Sequence, residues 1–310
     1  MKLRHSTIKF HPQQKATSLS SGIIITSAVA AFAAFSLSLP PGIFHKQTFD
    51  LSLIPRAVAA QEATKTNPLA ITSKELRGYL DQAREITDLV EVLRFAHEVF
   101  KFKGGKLGLK PSAEKFRKPK TPDELAEGKK GDCSDGTYAI VGFLVALEKK
   151  DIEVGAIFGH VKGASENITH IVPAAKVDGK LIIIDPFSSF GRTVEFDRQQ
   201  FQKAEVVEGN YYRELGDYHK KQGNVQNAVE AYGKAFERNS KDEEARGQAI
   251  NLLFREFNRV RQNLKPENHA AVDKAIKILD EILFFISESD EQRPALDSNL
   301  QTLKSWVQAR

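Results

Sequence analysis

A turn-forming hexapeptide that carries the only cysteine of this 310-residue chain leads directly into a long apolar segment. The hexapeptide is residues 131–136, with Cys133 in third place, and the apolar segment spans residues 138–147. Apolar residues on every face of a helix indicate that the helix is buried on all sides. The charged residues that follow Leu147 favour a helix end over a strand. Cys133 is therefore predicted to lie at or just before the N-terminus of a buried helix, where unpaired N–H groups favour a thiolate and stabilise an oxyanion.

The neighbours of Cys133 decide between a reactive and a structural cysteine. Free cysteines are usually buried and act as small apolar side chains. A buried, structural Cys133 is therefore the alternative to a reactive one. However, Gly, Asp and Ser on both sides are turn and cap residues rather than core residues. The flanks favour a reactive cysteine, which requires a base elsewhere in the chain.

The N-terminal region has the order of a secretory leader. Residues 1–21 are basic and lack acids, and residues 22–40 are uncharged and mostly apolar. Residues 1–60 are thus predicted to be a signal peptide or a membrane anchor, with residues 22–40 as the membrane segment and 61–70 as a linker. The basic prefix predicts that the bulk of the chain lies on the extracytoplasmic, or periplasmic, side of a membrane. The sequence is compatible with cleavage of this leader after residues 57–59 and with its retention as a membrane anchor.

Residues 71–205 are predicted to form the first folded domain. Apolar residues between Leu76 and Phe100 recur at helical spacing, which predicts one or two amphipathic helices behind a Ser73 cap. A lysine-rich stretch follows over residues 101–120, where glycines and prolines predict an exposed loop. This loop is either a contact for an acidic partner or a solvated segment. The small net charge of +5 and the lack of regularly spaced aromatic residues argue against nucleic acid as a partner.

A base and an acid follow the cysteine helix in a pattern of short strands. Alternating residues predict strands over 152–159 and 168–175, and Asp178 and Gly179 form a hairpin turn to a third strand at 180–184. His170 and Asp185 flank this hairpin and are expected near one end of a small sheet. Cys133, His170 and Asp185 then supply the nucleophile, the base and the group that orients the base. His160 is the rival base, and no cofactor or metal site is predicted.

These motifs resemble those of the transglutaminase-like cysteine proteins. The matching pieces are Gly-Asp-Cys at 131–133, His170, and Asp-Pro at 185–186, in the order and spacing of that family. The resemblance implies an α+β fold with a papain-like transglutaminase core, in which the cysteine-bearing helix packs on a small antiparallel sheet. It also implies acyl transfer or hydrolysis on a protein or peptide amide through a thioester, which covers cross-linking, deamidation and proteolysis. Residues 171–173 depart from the family, whose members often carry aromatic residues after the histidine.

Residues 206–310 are predicted to form a second, α-helical domain. One segment carries small and aromatic residues at the positions of a tetratricopeptide repeat: Tyr212, Leu215, Gly216, Gly223, Ala228, Tyr232 and Ala235. A single repeat cannot bury its own face and must pack against other helices. These helices are either a binding surface for a protein partner or a packing cap. The alternative function for the whole chain is a catalytically silent scaffold that binds partners through these helices.

Overall fold

The structure is a computed structural model that describes residues 67–112, 117–162, 169–193 and 195–309. These residues form two compact units, one within 71–207 and one that holds 208–309 together with 67–70 and 117–121. The predicted leader, residues 1–60, lies outside the described residues, as does most of the predicted linker. Within the described ranges, no helix combines the length and the apolar character that a membrane crossing needs.

Four helices build one side of the first unit. They are α1 (Lys74–Arg84), α2 (Leu89–Phe100), α3 (Pro122–Gly128) and α4 (Cys133–Ala146). The Ser73 hydroxyl accepts a hydrogen bond from the Leu76 N–H at the start of α1, as the sequence predicts. In α4 the side chains from Asp135 to Leu144 are buried, so the predicted buried cysteine helix is confirmed.

A four-stranded antiparallel sheet builds the other side. Its strands are β3 (Ile152–Val161), β4 (Thr169–Val177), β5 (Lys180–Ile183) and β6 (Phe196–Lys203), in the order β5-β4-β3-β6. Asp178 and Gly179 join β4 to β5 with φ of 50° and 74°, the left-handed geometry of a two-residue hairpin turn. The α+β class predicted from the sequence is confirmed. Strand β6 was not predicted, because its residues are mostly polar, as suits an edge strand.

The lysine-rich stretch after α2 is more closely attached to this unit than an exposed loop would be. Phe102, Leu107 and Leu109 are buried in the same core as α2 and α4. Phe102 bridges to Leu109, and β1 (Lys110–Pro111) pairs in parallel with β2 (Lys130–Gly131). The sequence expectation of a fully exposed loop is therefore wrong for residues 102–112, whose apolar side chains anchor the segment while its lysines stay outside.

The second unit contains α5 (Ala204–Lys221) from residue 208 onward and four further helices: α6 (Val225–Arg238), α7 (Glu243–Arg261), α8 (His269–Phe285) and α9 (Arg293–Gln308). The Tyr232 ring lies where a Cβ on Gly216 would stand, 2.6 Å from its ring carbons, so α5 and α6 pack closely only because position 216 has no side chain. The Tyr232 hydroxyl donates to Asp217 Oδ1 at 2.7 Å. The repeat-like character of these helices stays a prediction.

Two glycines give opposite predictions for stability. A Cβ at Gly155 in β3 would lie 2.1 Å from the Gln202 carbonyl oxygen on β6. Gly155→Ala is therefore expected to lower the free energy of unfolding by about 1–3 kcal/mol in urea titrations, because the strands must separate.

Gly78→Ala is the control, since nothing lies within 4 Å of its Cβ position in helix α1. It is expected to raise the free energy by about 0.5–1 kcal/mol. Equal effects at the two positions would contradict the close approach of β3 and β6.

Candidate active site

The first turn of α4 is fixed by a reciprocal pair of aspartates around Cys133. The Asp135 N–H donates to Asp132 Oδ1 at 3.1 Å, and the Asp132 N–H donates to Asp135 Oδ2 at 3.1 Å. This capping box satisfies backbone donors at the helix start. A Cβ at Gly131 would lie 2.6 Å from Leu125 Cδ1 and 2.9 Å from Asp135 Oδ2, so a larger residue would displace these side chains. Cys133 is the first helical residue, and it is partly exposed.

The same turn lies against the open edge of β4, next to His170. Strand β5 pairs with β4 only from Ala174 to Val177, which leaves the start of β4 beyond the end of β5. There, the Thr137 Oγ1 lies 2.7 Å from the Cys133 carbonyl oxygen and 3.2 Å from the Ile171 carbonyl oxygen. Because Ile171 follows His170, this hydroxyl joins the turn that carries the cysteine to the strand that carries the histidine.

A second close approach joins α4 to the end of β5. A Cβ on Gly136 would lie 2.8 Å from Pro186 Cγ and 3.2 Å from Phe102 Cε2. The Phe102 N–H donates to the Pro186 carbonyl oxygen at 2.8 Å, and the Phe102 ring stacks on Phe187 at 4.1 Å between centroids. The segment that follows α2 thus holds the 185–187 turn against the first turn of α4.

Asp185 is a buried carboxylate that accepts several hydrogen bonds. Its Oδ1 accepts from the Phe187 N–H at 2.9 Å, and its Oδ2 accepts from Ser188 Oγ at 3.0 Å and Thr193 Oγ1 at 2.8 Å. Burial acts to raise the pKa of Asp185, but these donors and His170 hold the pKa below its usual value. Asp185 is therefore a fixed anion at neutral pH.

His170 lies between this anion and the cysteine thiol. Its Nε2 is 4.0 Å from Asp185 Oδ2, longer than a direct hydrogen bond but close enough for a strong charge interaction. Burial disfavours the imidazolium, but Asp185 and the Cys133 thiol outweigh it and raise the pKa of His170 to about 9. Phe196 stacks on the ring at 6.2 Å between centroids. The three predicted site residues therefore come together, with the histidine in the middle.

His160 lies apart from this group. It follows Gly159, the cross-strand partner of His170, and therefore points to the opposite face of the sheet. Its side chain is exposed. Within the described ranges, no group of three His, Cys, Asp or Glu side chains is arranged to hold a metal ion.

His97 contacts the turn that carries Asp185, and its only signal in the sequence is its place on an apolar helix face. It is fully buried in α2, and its Nε2 lies 2.9 Å from the Ser188 carbonyl oxygen. Its ring packs edge-on against Phe190 at 5.7 Å. Since Ser188 also donates to Asp185, His97 helps to position the turn that holds the carboxylate.

Comparison with known proteins gives one match, to a family model. A family model described as a transglutaminase-like domain matches residues 70–210, a span that contains Cys133, His170 and Asp185. The resemblance inferred from the motifs is confirmed over these residues. No curated protein and no solved structure matches the chain.

The titration of His170 gives a direct test of this geometry. In NMR spectra of the full chain, the His170 ring proton signal is expected to titrate near pH 9. Cys133→Ala and Asp185→Asn each remove one of the groups that favour the imidazolium, so each is expected to lower this pKa toward the ordinary value of about 6.5. The signal is assigned by its loss in His170→Gln. A wild-type titration near pH 6.5, unchanged in both variants, would contradict the proximity of the three groups.

Proposed function

We propose that residues 71–205 form a papain-like cysteine enzyme that transfers or hydrolyses the acyl group of a protein or peptide carboxamide. The observation that carries the proposal is the position of His170 between a buried carboxylate and the first-turn thiol of a buried helix. A cationic imidazole and a helix N-terminus both favour the thiolate form of a cysteine. The match to a transglutaminase-like domain supports the same chemistry.

The orientation of the imidazole assigns a task to each nitrogen. Nε2 faces Asp185, which leaves Nδ1 for the thiol of Cys133. Asp185 keeps its charge and fixes the ring, while its own position is held by Phe187, Ser188 and Thr193. The base and its orienting group are thus arranged before substrate arrives, as nucleophilic catalysis requires.

The reaction proceeds through a thioester. The Cys133 thiolate attacks the carboxamide carbon, and the carbonyl oxygen becomes an oxyanion beside the start of α4. The Cys133 N–H, which an α-helix leaves without an intrahelical acceptor, is one donor to this oxyanion. The C–N bond then breaks, and the leaving ammonia or amine takes a proton from the His170 imidazolium. Neutral His170 next removes a proton from water or from an acceptor amine, which attacks the thioester and releases the thiol.

We also propose roles for residues 1–60 and for the helices after residue 206. The basic and apolar order of residues 1–60 supports export across a membrane or anchoring in it, with residues 71–310 on the far side. The helices after residue 206 are proposed to resemble tetratricopeptide repeats and to contact a protein partner or the substrate. A catalytically silent scaffold is the alternative, and it requires no reactivity of Cys133.

Alkylation by iodoacetamide tests the thiol directly, because the chain contains a single cysteine. An unperturbed thiol has a pKa of about 8.5 and reacts slowly at about pH 6.5. Wild-type full chain is expected to react at that pH at least about tenfold faster than His170→Ala, since removal of the imidazolium removes the charge that favours the thiolate. His160→Ala is the matched control, and it is expected to react like wild type.

Turnover is tested with glutamine-containing peptides, by release of ammonia and by incorporation of a fluorescent primary amine. Cys133→Ala is expected to abolish both reactions, and His170→Ala to reduce them by about 10²–10⁴-fold. A Cys133 that is inert in the folded protein, or equally reactive with and without His170, would refute the enzyme and leave the scaffold.

A further inference from the structure

We propose that Lys103, Lys110 and Lys130 form a cationic surface beside Cys133 that recognises acidic residues flanking the reactive carboxamide of the substrate. This inference rests on the proposed function and adds the chemical class of its substrate. We refer to these three residues as the lysine row.

The lysine row comes from three chain segments that lie side by side. Phe102 bridges to Leu109, and the Lys103 N–H donates to the Leu109 carbonyl oxygen at 3.1 Å, so Lys103 lies next to Lys110. Lys110 is in turn the cross-strand partner of Lys130. Neighbouring strands are about 4.8 Å apart. All three lysines are exposed, while Phe102, Leu109 and Gly131 in the same segments are buried.

Two charges of the lysine row are not used by a neighbouring side chain. Elsewhere in the stretch, Lys101 lies 3.6 Å from Glu98, and Lys106 lies over the Phe95 ring. Lys103 and Lys110 have no such ion pair within the described ranges 67–112, 117–162, 169–193 and 195–309. Neighbouring charges of one sign attract ions of the opposite sign, so this surface suits an external anion.

The segments that carry the lysine row are attached to the catalytic groups. Phe102 precedes Lys103, and its N–H binds the carbonyl oxygen of Pro186, directly after Asp185. Lys130 is three residues before Cys133, and the Ser112 N–H donates to the Gly131 carbonyl oxygen. A peptide whose carboxamide lies at the thiol therefore has its flanking residues within reach of the lysine row. Lysine ammonium groups on flexible stems act as point charges and suit carboxylates without one fixed geometry.

Two iodoacetyl peptides that differ only in their charge test this inference separately from the proposed function. The full chain is treated with an iodoacetyl peptide that carries three glutamates and with one that carries three serines, and Cys133 alkylation is followed by mass spectrometry. The glutamate peptide is expected to react about fivefold faster at low salt, and the ratio is expected to approach one at about 0.5 M NaCl, because salt screens exposed charges.

A double charge reversal identifies the lysines responsible. Lys103→Glu combined with Lys110→Glu is expected to remove the preference while plain iodoacetamide labels Cys133 at the wild-type rate. The control combines Lys150→Glu with Lys180→Glu, which changes the net charge equally at exposed positions past the end of α4 and at the tip of the β4–β5 hairpin. It is expected to keep the preference.

Four outcomes decide between the alternatives. A reactive Cys133 without peptide preference, or a preference that survives the Lys103 and Lys110 reversal, overturns the lysine row and leaves the enzyme intact. Loss of the preference in the control overturns the assignment to these lysines. The protein could instead bind phosphatidylserine vesicles through Lys103 and Lys110 and show no peptide preference. That result assigns the surface to a membrane and overturns the substrate assignment. An inert Cys133 refutes the proposed function itself.

Discussion

The close contact between Gly136 and Pro186 is the constraint on which the candidate site depends. A glycine in the first turn of α4 allows the turn after β5 to approach a helix whose side chains are otherwise buried. A Cβ at this position would lie 2.8 Å from Pro186 Cγ and 3.2 Å from Phe102 Cε2, so a larger residue would displace these rings. The cysteine and the carboxylate come from segments about fifty residues apart in the sequence, and this contact brings the two segments together around His170, which lies between the two groups.

The charges of Asp185 and His170 determine the chemistry that we propose for this site. Asp185 is buried, and a buried anion is stable only when it is paired and hydrogen-bonded. Phe187, Ser188 and Thr193 supply the hydrogen bonds, and His170 supplies the positive charge. The same anion keeps His170 protonated at neutral pH. Under the function proposed above, this cation acts on the Cys133 nucleophile through groups that are present before substrate binds.

The sequence predicted the elements of the site well because their signals are local. The turn residues around Cys133, the apolar run after it and the Asp178-Gly179 hairpin each determine a structure from a few neighbouring residues. The order Cys133, His170, Asp185 carried the resemblance, and the match to residues 70–210 agrees with it. Their catalytic roles stay a proposal.

The features that the sequence did not predict depend on contacts between distant segments. In the sequence, His97 is an ordinary residue on the apolar face of a helix. Its contact with Ser188 is visible only in the folded chain. Strand β6 is polar because it lies at a sheet edge, so periodicity does not reveal it. The lysine-rich stretch has the composition of a solvated loop, and only its pairing with residues 130–131 aligns Lys103, Lys110 and Lys130.

Capture of the acyl-enzyme tests the central claim most directly. The full chain is mixed with a glutamine peptide, quenched in acid and analysed by intact-mass and peptide mapping mass spectrometry. The account predicts an adduct on Cys133 equal to the peptide mass less ammonia, sensitive to hydroxylamine as a thioester is, and absent in Cys133→Ala. Turnover of the same peptide by Cys133→Ala, with no adduct in the wild-type protein, would contradict the account.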